Sequence, residues 1–343
     1  MSNSKPLFIA EIGVNHEGNI LKAKEMIVHA KKAGADVAKF QTYKKELLAA
    51  PNSPSYWSLQ SEPTTSQYEL FGKYDSFNHE DYIELSQFCL SSGIEFMTTC
   101  FDVDSVFLMN EIVTRFKIAS ADLTNYQLLR AVAKTNKPIL LSTGAASLSE
   151  IEEALKFIAT INDSSRITLL HCVLNYPTKL SNAQLGRILK LKEKFPSYEI
   201  GYSDHTQPGD SEIAIQAAYC FGARIFEKHF TYDKSSPGND HYHAFDERDL
   251  RAMIENLKKL AEASNFEENY FLELQMPARK NARRGIYLRA DKDKGSVLNE
   301  EDIIPLRPTV FGGVDVSNFY NIIGKTLKRE KQKSEPILIE DLE

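Results

Sequence analysis

The sequence predicts a parallel (β/α)8 TIM barrel followed by a small C-terminal domain. Eight short apolar runs support the barrel, because each closes on polar or charged residues and helical patterns lie between them. In chain order, the runs are LFIAEIG, VAKFQTY, EFMTTC, RFKIAS, PILLSTG, ITLLHCV, EIGYSDH and RIFEKHF. Barrel enzymes carry their catalytic residues at the carboxyl ends of the strands, so we expect the polar ends of these runs to share one rim.

The segments between the runs have the patterns of helices that pack against a sheet. In ILKAKEMIVHAKKAG the apolar residues fall on one face, and Gly34 supplies the left-handed position that ends such a helix. Gly93 and Gly222 precede later strands in the same way. Ser147, three residues before Glu150, has the capping-box spacing of a helix start. This alternation predicts crossover helices around a parallel sheet.

One connection is too long for an ordinary loop of such a barrel. About 35 residues separate VAKFQTY from the helix that begins near HEDYIELSQF, and they are rich in Pro, Ser and Thr. The insertion carries Tyr56, Trp57, Glu62 and Tyr68. Long loops on the catalytic rim are usually functional, so we expect this one to contact substrate, although an ordinary solvated insertion is the alternative.

The pattern changes after the last barrel helix. Short β-like pieces broken by Gly and Pro, such as GIYLRA and PILIEDLE, predict a compact second domain. We therefore predict a catalytic barrel over residues 1–265, a linker over 266–283 and a small domain over 284–343.

The global composition narrows the function classes. A net charge of −6 argues against nucleic acid or an anionic membrane as the main partner. No apolar run approaches the roughly 18 residues of a membrane span, and the start has no secretory signal pattern, so we expect a cytoplasmic protein. The four cysteines lack CxxC spacing, which favours reduced buried thiols; a nucleophilic Cys100 or Cys172 is the alternative.

Two histidines end neighbouring runs. His205 closes GYSDH and His229 lies in EKHF, and adjacent strands are about 4.8 Å apart. Two such imidazoles could converge on one divalent metal, and the nearby carboxylates Asp204, Glu227 and Asp240 suit Mn²⁺ or Mg²⁺. Hydrogen-bonded structural histidines are the alternative.

Two lysines also occupy strand positions with apolar neighbours. Lys39 in AKF and Lys117 in FKI would be costly to bury without an anion. Small polar residues end several strands or begin the next loop: Ser120, Ser142, Gly144 and Ser203. Together these residues predict a cradle for a phosphate or carboxylate. The alternative is that the lysines extend to solvent and the serines only terminate strands.

Several motifs in this order resemble the sialic acid synthase family. They are FIAEIGVNHEGN, KFQTY, FKIAS, LSTG, HCVLNYPT, GYSDHT and EKHFTYDKSSPGND. The tail GIYLRADKDKGSVLNEEDIIPLRP resembles the C-terminal antifreeze-like (SAF) domain of that family. The resemblance implies condensation of phosphoenolpyruvate with an N-acylated hexosamine-derived aldose, by C–O cleavage, to a nine-carbon 2-keto acid and phosphate. It also implies a divalent metal, usually Mn²⁺ with Mg²⁺ or Co²⁺ as alternatives, and a homodimer with swapped SAF domains.

The resemblance assigns roles to individual residues. Phosphoenolpyruvate would contact Lys39, Gln41, Thr99, Lys117, Ser120, Ser142, Gly144 and Ser203. Catalysis would use Glu11 and Glu227 to position water and move protons, with His205 and His229 holding the metal. The sugar would contact Tyr176, Asp240, Glu62 and, from the partner's small domain, Arg307.

The chain also departs from the family pattern. Leu174 stands where some relatives carry a polar residue, Glu62 falls near an expected Asn, and His241 and His243 enrich the loop after the eighth run in histidine. These departures suggest an acceptor other than plain N-acetylmannosamine, but the sequence leaves both N-acetylmannosamine and a 2,4-diacetamido-2,4,6-trideoxyhexose open. Two other functions stay open at this stage: a synthase of a seven- or eight-carbon keto sugar acid, and a noncatalytic sugar-binding or ice-binding protein.

Overall fold

The computed structural model describes residues 5–57, 59, 62–162, 166–238 and 240–343. Three residues of the long insertion, at positions 58, 60 and 61, and Asn239 of the PGND motif lie outside this part of the chain. The chain divides into two compact units, Met1–Ala263 and Ser264–Glu343. No helix in the described residues is long and apolar enough to cross a membrane.

The first unit is a closed barrel of eight parallel strands in sequence order, and the eighth strand pairs with the first. The strands are β1 (Leu7–Gly13), β2 (Val37–Thr42), β3 (Glu95–Cys100), β4 (Phe116–Ile118), β5 (Ile139–Ser142), β6 (Ile167–Cys172), β7 (Glu199–Asp204) and β8 (Ile225–His229). Each predicted run contains one strand, which confirms the TIM barrel.

Helices follow the strands around the barrel. They are α1 (Ile20–Ala33), α2 (Lys45–Leu48), α3 (Gln67–Tyr74), α4 (His79–Ser92), α5 (Val103–Met109), α6 (Tyr126–Lys134), α7 (Leu148–Ala159), α8 (Arg187–Lys194), α9 (Pro208–Cys220) and α10 (Glu247–Ala263). The predicted helix ends are confirmed at α1 and α4, where Gly34 and Gly93 have φ of 100° and 69°. The predicted capping box of Ser147 and Glu150 starts α7.

Strand periodicity places apolar residues at the bottom of the barrel interior and polar residues at its top. One buried cluster fills the interior: Ile9, Val37, Met97, Leu140, Leu170 and Ile225. Because side chains alternate between faces, the residue two positions further along each strand also points inward. Those positions hold Glu11, Lys39, Thr99, Ser142, Cys172 and Glu227. The C-terminal ends of the strands therefore deliver polar groups to one rim.

The outward face of β7 and β8 carries a second set of charges. In the strand register, Asp204 lies opposite Lys228, while Ser203 lies opposite Glu227. Lys228 Nζ donates a hydrogen bond to Asp204 Oδ2 at 2.9 Å, and both residues are buried. As expected from the alternation, Lys228 faces the helical layer, where it lies over the ring of Phe245.

The second unit has its own small core. Two antiparallel strands, β9 (Gly285–Leu288) and β10 (Ile303–Leu306), follow the short helices α11 (Glu268–Leu274) and α12 (Met276–Ala282). Its buried core consists of Ile286, Leu288, Leu298, Ile303, Val314, Ile322, Leu327 and Ile337. The two short helices occupy the segment predicted as a linker, and none of their residues is buried.

Candidate active site

A pocket opens at the carboxyl ends of the barrel strands. It brings together most of the predicted site residues: Glu11, Lys39, Gln41, Thr99, Lys117, Ser120, Ser142, Tyr176, Ser203, His205, Glu227, His229 and Asp240. The strand ends supply its charged floor, and the loops after β2, β6 and β8 supply much of the remaining wall. The location agrees with the rule that barrel enzymes place their chemistry at this rim.

Two lysines and two carboxylates form a buried network on the floor. Lys39 Nζ lies 2.5 Å from Glu11 Oε2 and 3.7 Å from Glu227 Oε2. Lys117 Nζ lies 3.6 Å from Glu227 Oε1, to which Ser203 donates a hydrogen bond at 2.9 Å. The network follows from the strand register, in which Glu11 pairs with Lys39 and Thr99 with Lys117.

The pKa values of Glu11 and Glu227 shift in opposite directions, although both carboxylates lie near the same lysines. Burial raises the pKa of Glu11 to about 7, because the attraction of Lys39 only partly offsets desolvation and Glu227 adds repulsion. Burial also acts on Glu227, but Lys117 and Lys39 outweigh it and lower its pKa to about 2. At neutral pH, Glu227 is therefore ionised while Glu11 can hold or release a proton.

The pKa values of the two lysines also shift in opposite directions. Burial lowers the pKa of Lys117, and the attraction of Glu227 does not fully restore it. Desolvation acts in the same direction on Lys39, but Glu11 and Glu227 together raise its pKa. Lys39 also donates a hydrogen bond to Thr99 Oγ1 at 2.9 Å.

Hydroxyl groups of the strand ends lie beside these cations. Ser142 Oγ is buried and makes no hydrogen bond within the described residues, so it is available to a ligand. Gly144 does not line the pocket; its backbone N–H donates to Ser120 Oγ at 2.9 Å. A Cβ at Gly144 would approach that oxygen to 2.9 Å, so only glycine leaves Ser120 undisturbed. Gly144 therefore positions a wall residue rather than facing the pocket itself.

The two predicted histidine ligands lie side by side. The ring centroids of His205 and His229 are 5.5 Å apart. His205 Nδ1 lies 2.8 Å from the carbonyl oxygen of Val173. A carbonyl only accepts hydrogen bonds, so Nδ1 carries the hydrogen and Nε2 of the neutral ring keeps its lone pair. This is the arrangement of a metal-binding histidine with an orienting partner.

A third histidine lies close to this pair. His243 has its ring centroid 4.7 Å from that of His229, and Asp240 Oδ2 lies 3.5 Å from His229 Nδ1. Burial lowers the pKa of His229 well below its ordinary value, helped by His243 and His205, while burial raises the pKa of Asp240 to about 6. Sequence reasoning noted His243 but gave it no role, because the loop after β8 has no periodicity that fixes its side chains.

The long insertion supplies an aromatic wall. The rings of Tyr56 and Trp57 meet edge to face at 5.4 Å, and both line the pocket together with Tyr74. Trp57 is buried, and its Nε1 donates to the carbonyl oxygens of Glu62 and Thr64 at 3.2 and 3.1 Å. The loop thus holds the indole in place through its own backbone.

The structure does not bring Glu62 into the pocket. Its carboxylate lies 2.8 Å from Lys73 Nζ and accepts a hydrogen bond from the Thr64 backbone at 2.9 Å. Burial alone would raise the pKa of Glu62, but these partners lower it below its ordinary value. The expectation that Glu62 contacts the sugar is therefore not supported: it stabilises the insertion. Tyr68 also lies outside the pocket wall, near Lys45.

The remaining predicted residue, Arg307, belongs to the second unit. It is exposed and directly follows β10.

Fold and pocket define a class of protein: a TIM-barrel enzyme for small anionic substrates, with its chemistry at the carboxyl ends of the strands. Comparison with known proteins narrows this class. The NeuB family model matches residues 26–269, and the chain belongs to the NeuB family. This finding confirms the resemblance seen in the sequence motifs.

Individual relatives extend over nearly the whole chain. This chain is 35% identical to N,N′-diacetyllegionaminic acid synthase of Legionella pneumophila, and the match covers 98% of this chain and 94% of the relative. The chain is also 30% identical to N-acetylneuraminate-9-phosphate synthase of Drosophila melanogaster, and the match covers 96% of this chain and 94% of that relative. The solved structure of N-acetylneuraminic acid synthetase from Leptospira borgpetersenii in complex with citrate matches with a TM-score of 0.68 and 30% identity, covering 81% of this chain and 94% of that one.

Proposed function

We propose that the protein is a nonulosonic acid synthase that condenses phosphoenolpyruvate with an N-acylated aldose to a nine-carbon 2-keto acid and phosphate. One observation carries the proposal: the buried network of Glu11, Lys39, Lys117 and Glu227 lies in the same pocket as His205 and His229. Relatives named as synthases of diacetyllegionaminic acid and N-acetylneuraminate-9-phosphate agree with this chemistry. The protein is accordingly a transferase that forms a carbon–carbon bond.

Phosphoenolpyruvate binding explains the buried lysines. Its phosphate and carboxylate need cations and hydroxyl donors in a desolvated site. Lys39, Lys117 and Ser142 supply these groups on the pocket floor. In the absence of substrate, Glu11 and Glu227 compensate the positive charges of the two lysines. These ion pairs hold the lysine side chains in position inside the barrel.

The carboxylates suit the proton transfers of the reaction. C3 of phosphoenolpyruvate bonds to the aldehyde carbon, water adds at C2, and the C2–O bond to phosphate breaks. The aldehyde oxygen must gain a proton and the attacking water must lose one. Glu227, which stays ionised, suits orienting the water, and Glu11, with a pKa of about 7, suits giving and taking a proton.

A divalent metal belongs to the proposal, most simply Mn²⁺, with Mg²⁺ or Co²⁺ as alternatives. The donor set fits such an ion, because His205 and His229 are neighbours and His205 is oriented by the Val173 carbonyl. When bound, the ion would supply Lewis-acid polarisation of the aldehyde oxygen.

The pocket wall supports an unphosphorylated acceptor. Among the described lining residues the only lysine or arginine cations are Lys39 and Lys117, which the other substrate requires. The pocket is also lined by Tyr56, Trp57 and Leu174, apolar surfaces that suit N-acyl and deoxy groups. Tyr176 and Asp240 also line the pocket, and we assign them to sugar hydroxyls. N-acetylmannosamine and a 2,4-diacetamido-2,4,6-trideoxyhexose both belong to this class, and the apolar wall favours the latter.

The proposal includes a homodimer in which the small antifreeze-like domain of each protomer completes the other's site. The family resemblance supports it, with Arg307 as the contributed residue. Subunit exchange between Arg307→Ala and Glu11→Ala chains tests it. A swapped arrangement restores one intact site per mixed dimer and about half the wild-type rate per dimer. Demonstrated exchange without recovery would contradict the swap.

We further place the enzyme in the cytoplasm, where its four cysteines, none in a disulfide, would stay reduced.

Two assays test the proposed reaction. Mass spectrometry of products from phosphoenolpyruvate with a panel of N-acylated hexoses, their 6-phosphates and aldose phosphates should show a nine-carbon 2-keto acid from the unphosphorylated hexoses. Phosphoenolpyruvate labelled with ¹⁸O at the bridging position should give labelled phosphate, because the C–O bond breaks. Label retained in the keto acid, or product only from aldose phosphates, would contradict the proposal.

A further inference from the structure

The loop after β8, between that strand and α10, leaves the barrel and returns to it at one place. The backbone N–H of Thr231 donates to the carbonyl oxygen of Phe245 at 2.8 Å, and the backbone N–H of Phe245 donates to the carbonyl oxygen of His229 at 2.8 Å. These two bonds fasten the ends of the loop, but Asp240 lies several residues from either end. The position of Asp240 in the pocket wall therefore depends on contacts with other elements.

Asn15, in the loop between β1 and α1, bridges the start of the β8 loop and Asp240. It is buried, and its Nδ2 donates hydrogen bonds to the carbonyl oxygens of Phe230 at 3.0 Å and Asp240 at 3.4 Å. A side-chain amide has two N–H hydrogens, so one asparagine can make both bonds. Asn15 is itself held against β1, because its backbone N–H donates to the carbonyl oxygen of Ile12 at 2.9 Å. The amide therefore ties the backbone of Asp240 to the ends of two barrel strands, β1 and β8.

A second set of contacts joins the same two loops at the residue next to Asp240. His241 is buried, its Nδ1 lies 2.7 Å from Thr231 Oγ1, and its Nε2 lies 3.5 Å from Glu17 Oε1. The same carboxylate oxygen accepts a hydrogen bond from the Tyr232 hydroxyl at 3.2 Å. Glu17 makes these contacts from a left-handed backbone conformation with φ of 54°, which a residue other than glycine adopts only at a cost. The two loops are therefore joined beside Asp240 as well as at Asp240 itself.

We infer that Asn15 is a positioning residue for the acceptor sugar: it holds the backbone of Asp240 so that the Asp240 carboxylate meets the sugar at one fixed place. The inference rests on the proposed function for the contact between Asp240 and the sugar, whereas the tie between Asn15 and Asp240 can be measured without substrate. Asn15 also lines the pocket, so the experiment must separate positioning from direct contact with the sugar. Lys39 and Lys117 lie on other strands, so phosphoenolpyruvate binding should not depend on Asn15.

Hydrogen–deuterium exchange of the full chain without substrate tests the tie. Asn15→Ala should raise the exchange rate of peptides covering residues 231–245 by at least about threefold, because it removes a contact that restrains the loop. Asn19→Ala is the matched control: Asn19 lies in the same loop as Asn15, but its side chain caps α1 by accepting hydrogen bonds from the backbone N–H groups of Leu21 and Lys22. The control should lower stability without changing exchange in those peptides. Unchanged exchange in a folded Asn15→Ala chain would overturn the inference, whether or not the protein makes a nine-carbon acid.

A double-mutant cycle separates positioning from direct contact with the sugar. Asn15→Ala should lower kcat/KM for the acceptor by about 5- to 10-fold, the scale of a buried hydrogen bond, and should leave the dissociation constant of phosphoenolpyruvate within about twofold of wild type. In an Asp240→Asn chain the same substitution should change kcat/KM by less than about twofold, because the carboxylate that Asn15 positions is absent. Equal factors in both backgrounds would overturn the positioning role.

The variant Asn15→Asp tests the hydrogen-bond donor at constant shape. It replaces the –NH2 group by an oxygen that faces two carbonyl oxygens, so kcat/KM for the acceptor should fall at least as far as in Asn15→Ala. A wild-type kcat/KM in Asn15→Asp would overturn the inference. A wild-type chain that forms no nine-carbon acid, but whose loop after β8 exchanges faster in Asn15→Ala, would contradict the proposed function and leave the tie between Asn15 and Asp240 in place.

Discussion

The two sides of the pocket are built in different ways. The floor, with Glu11, Lys39, Lys117 and Glu227, consists of strand residues whose neighbours are set by the barrel register. Another part of the pocket wall, with Tyr56 and Trp57, comes from the long insertion, where the Trp57 indole donates hydrogen bonds to backbone carbonyls of the same loop. Under the proposed function, the strand side supplies the charges that bind phosphoenolpyruvate. Under the proposed function, the loop side contacts the acceptor sugar.

The largest effect is expected on the strand side. Lys117→Met should weaken phosphoenolpyruvate binding by roughly 2 to 4 kcal/mol, because it removes one partner of a buried, charge-assisted contact. Titration calorimetry measures the change. Lys228→Met is the control: Lys228 is also buried but faces the helices, so it should lower stability without altering the affinity of the folded protein. Equal affinity in Lys117→Met and wild type would exclude Lys117 from the substrate site.

A loop-side change should act on the acceptor alone. Trp57→Ala removes an aromatic surface and should raise the acceptor KM by about 10-fold, or roughly 1.4 kcal/mol, with phosphoenolpyruvate affinity unchanged. Tyr68→Ala, in the same insertion but outside the pocket wall, should leave both constants near wild type. If Trp57→Ala weakened the binding of both substrates equally, the division of the pocket into two independent sides would be wrong.

The pH dependence of stability tests the unusual state of Glu11. Its pKa is about 7 in the folded protein against an ordinary value of 4.5, so the folded state binds more protons between these pH values. The contribution of Glu11 to the free energy of unfolding is present in full below pH 4.5 and declines as pH rises to about 7. Glu11→Gln should remove this slope, which is at most about 1.4 kcal/mol per pH unit. Urea unfolding between pH 4.5 and 8 measures it; parallel curves for the two proteins would refute the raised pKa.

A smaller effect is expected at Gly144. Gly144→Ala places a Cβ 2.9 Å from Ser120 Oγ and should displace that hydroxyl. The dissociation constant of phosphoenolpyruvate should rise by about fivefold, or about 1 kcal/mol, the scale of one hydrogen bond. Gly186→Ala, where a Cβ would meet nothing within 4 Å, is the control. No difference between the two variants would show that Ser120 does not contact the substrate.

The strand side could be predicted from sequence because its positions follow from a period of two. Once Ile9 and Ile225 are assigned to the interior, Glu11 and Glu227 must also face it, and barrel closure brings them together. The loop side could be predicted only in part: Tyr56, Trp57, Tyr176 and Asp240 line the pocket as expected, but Glu62 does not. Nothing in the sequence indicates that Glu62 pairs with Lys73 while Trp57 turns into the pocket, because both depend on the path of an irregular chain. His243 was visible only as an unusual histidine.

The paired charges on β7 and β8 also protect the barrel against misassembly. A shift of β8 by one residue would turn Lys228 inward beside Lys39 and Lys117, and would turn Glu227 outward toward Asp204. Like charges would then meet on both faces of the sheet in a low-dielectric interior. The inward charges, which we assign to substrate binding, and the outward pair of Lys228 and Asp204 therefore both favour the observed alignment of β8 with β7.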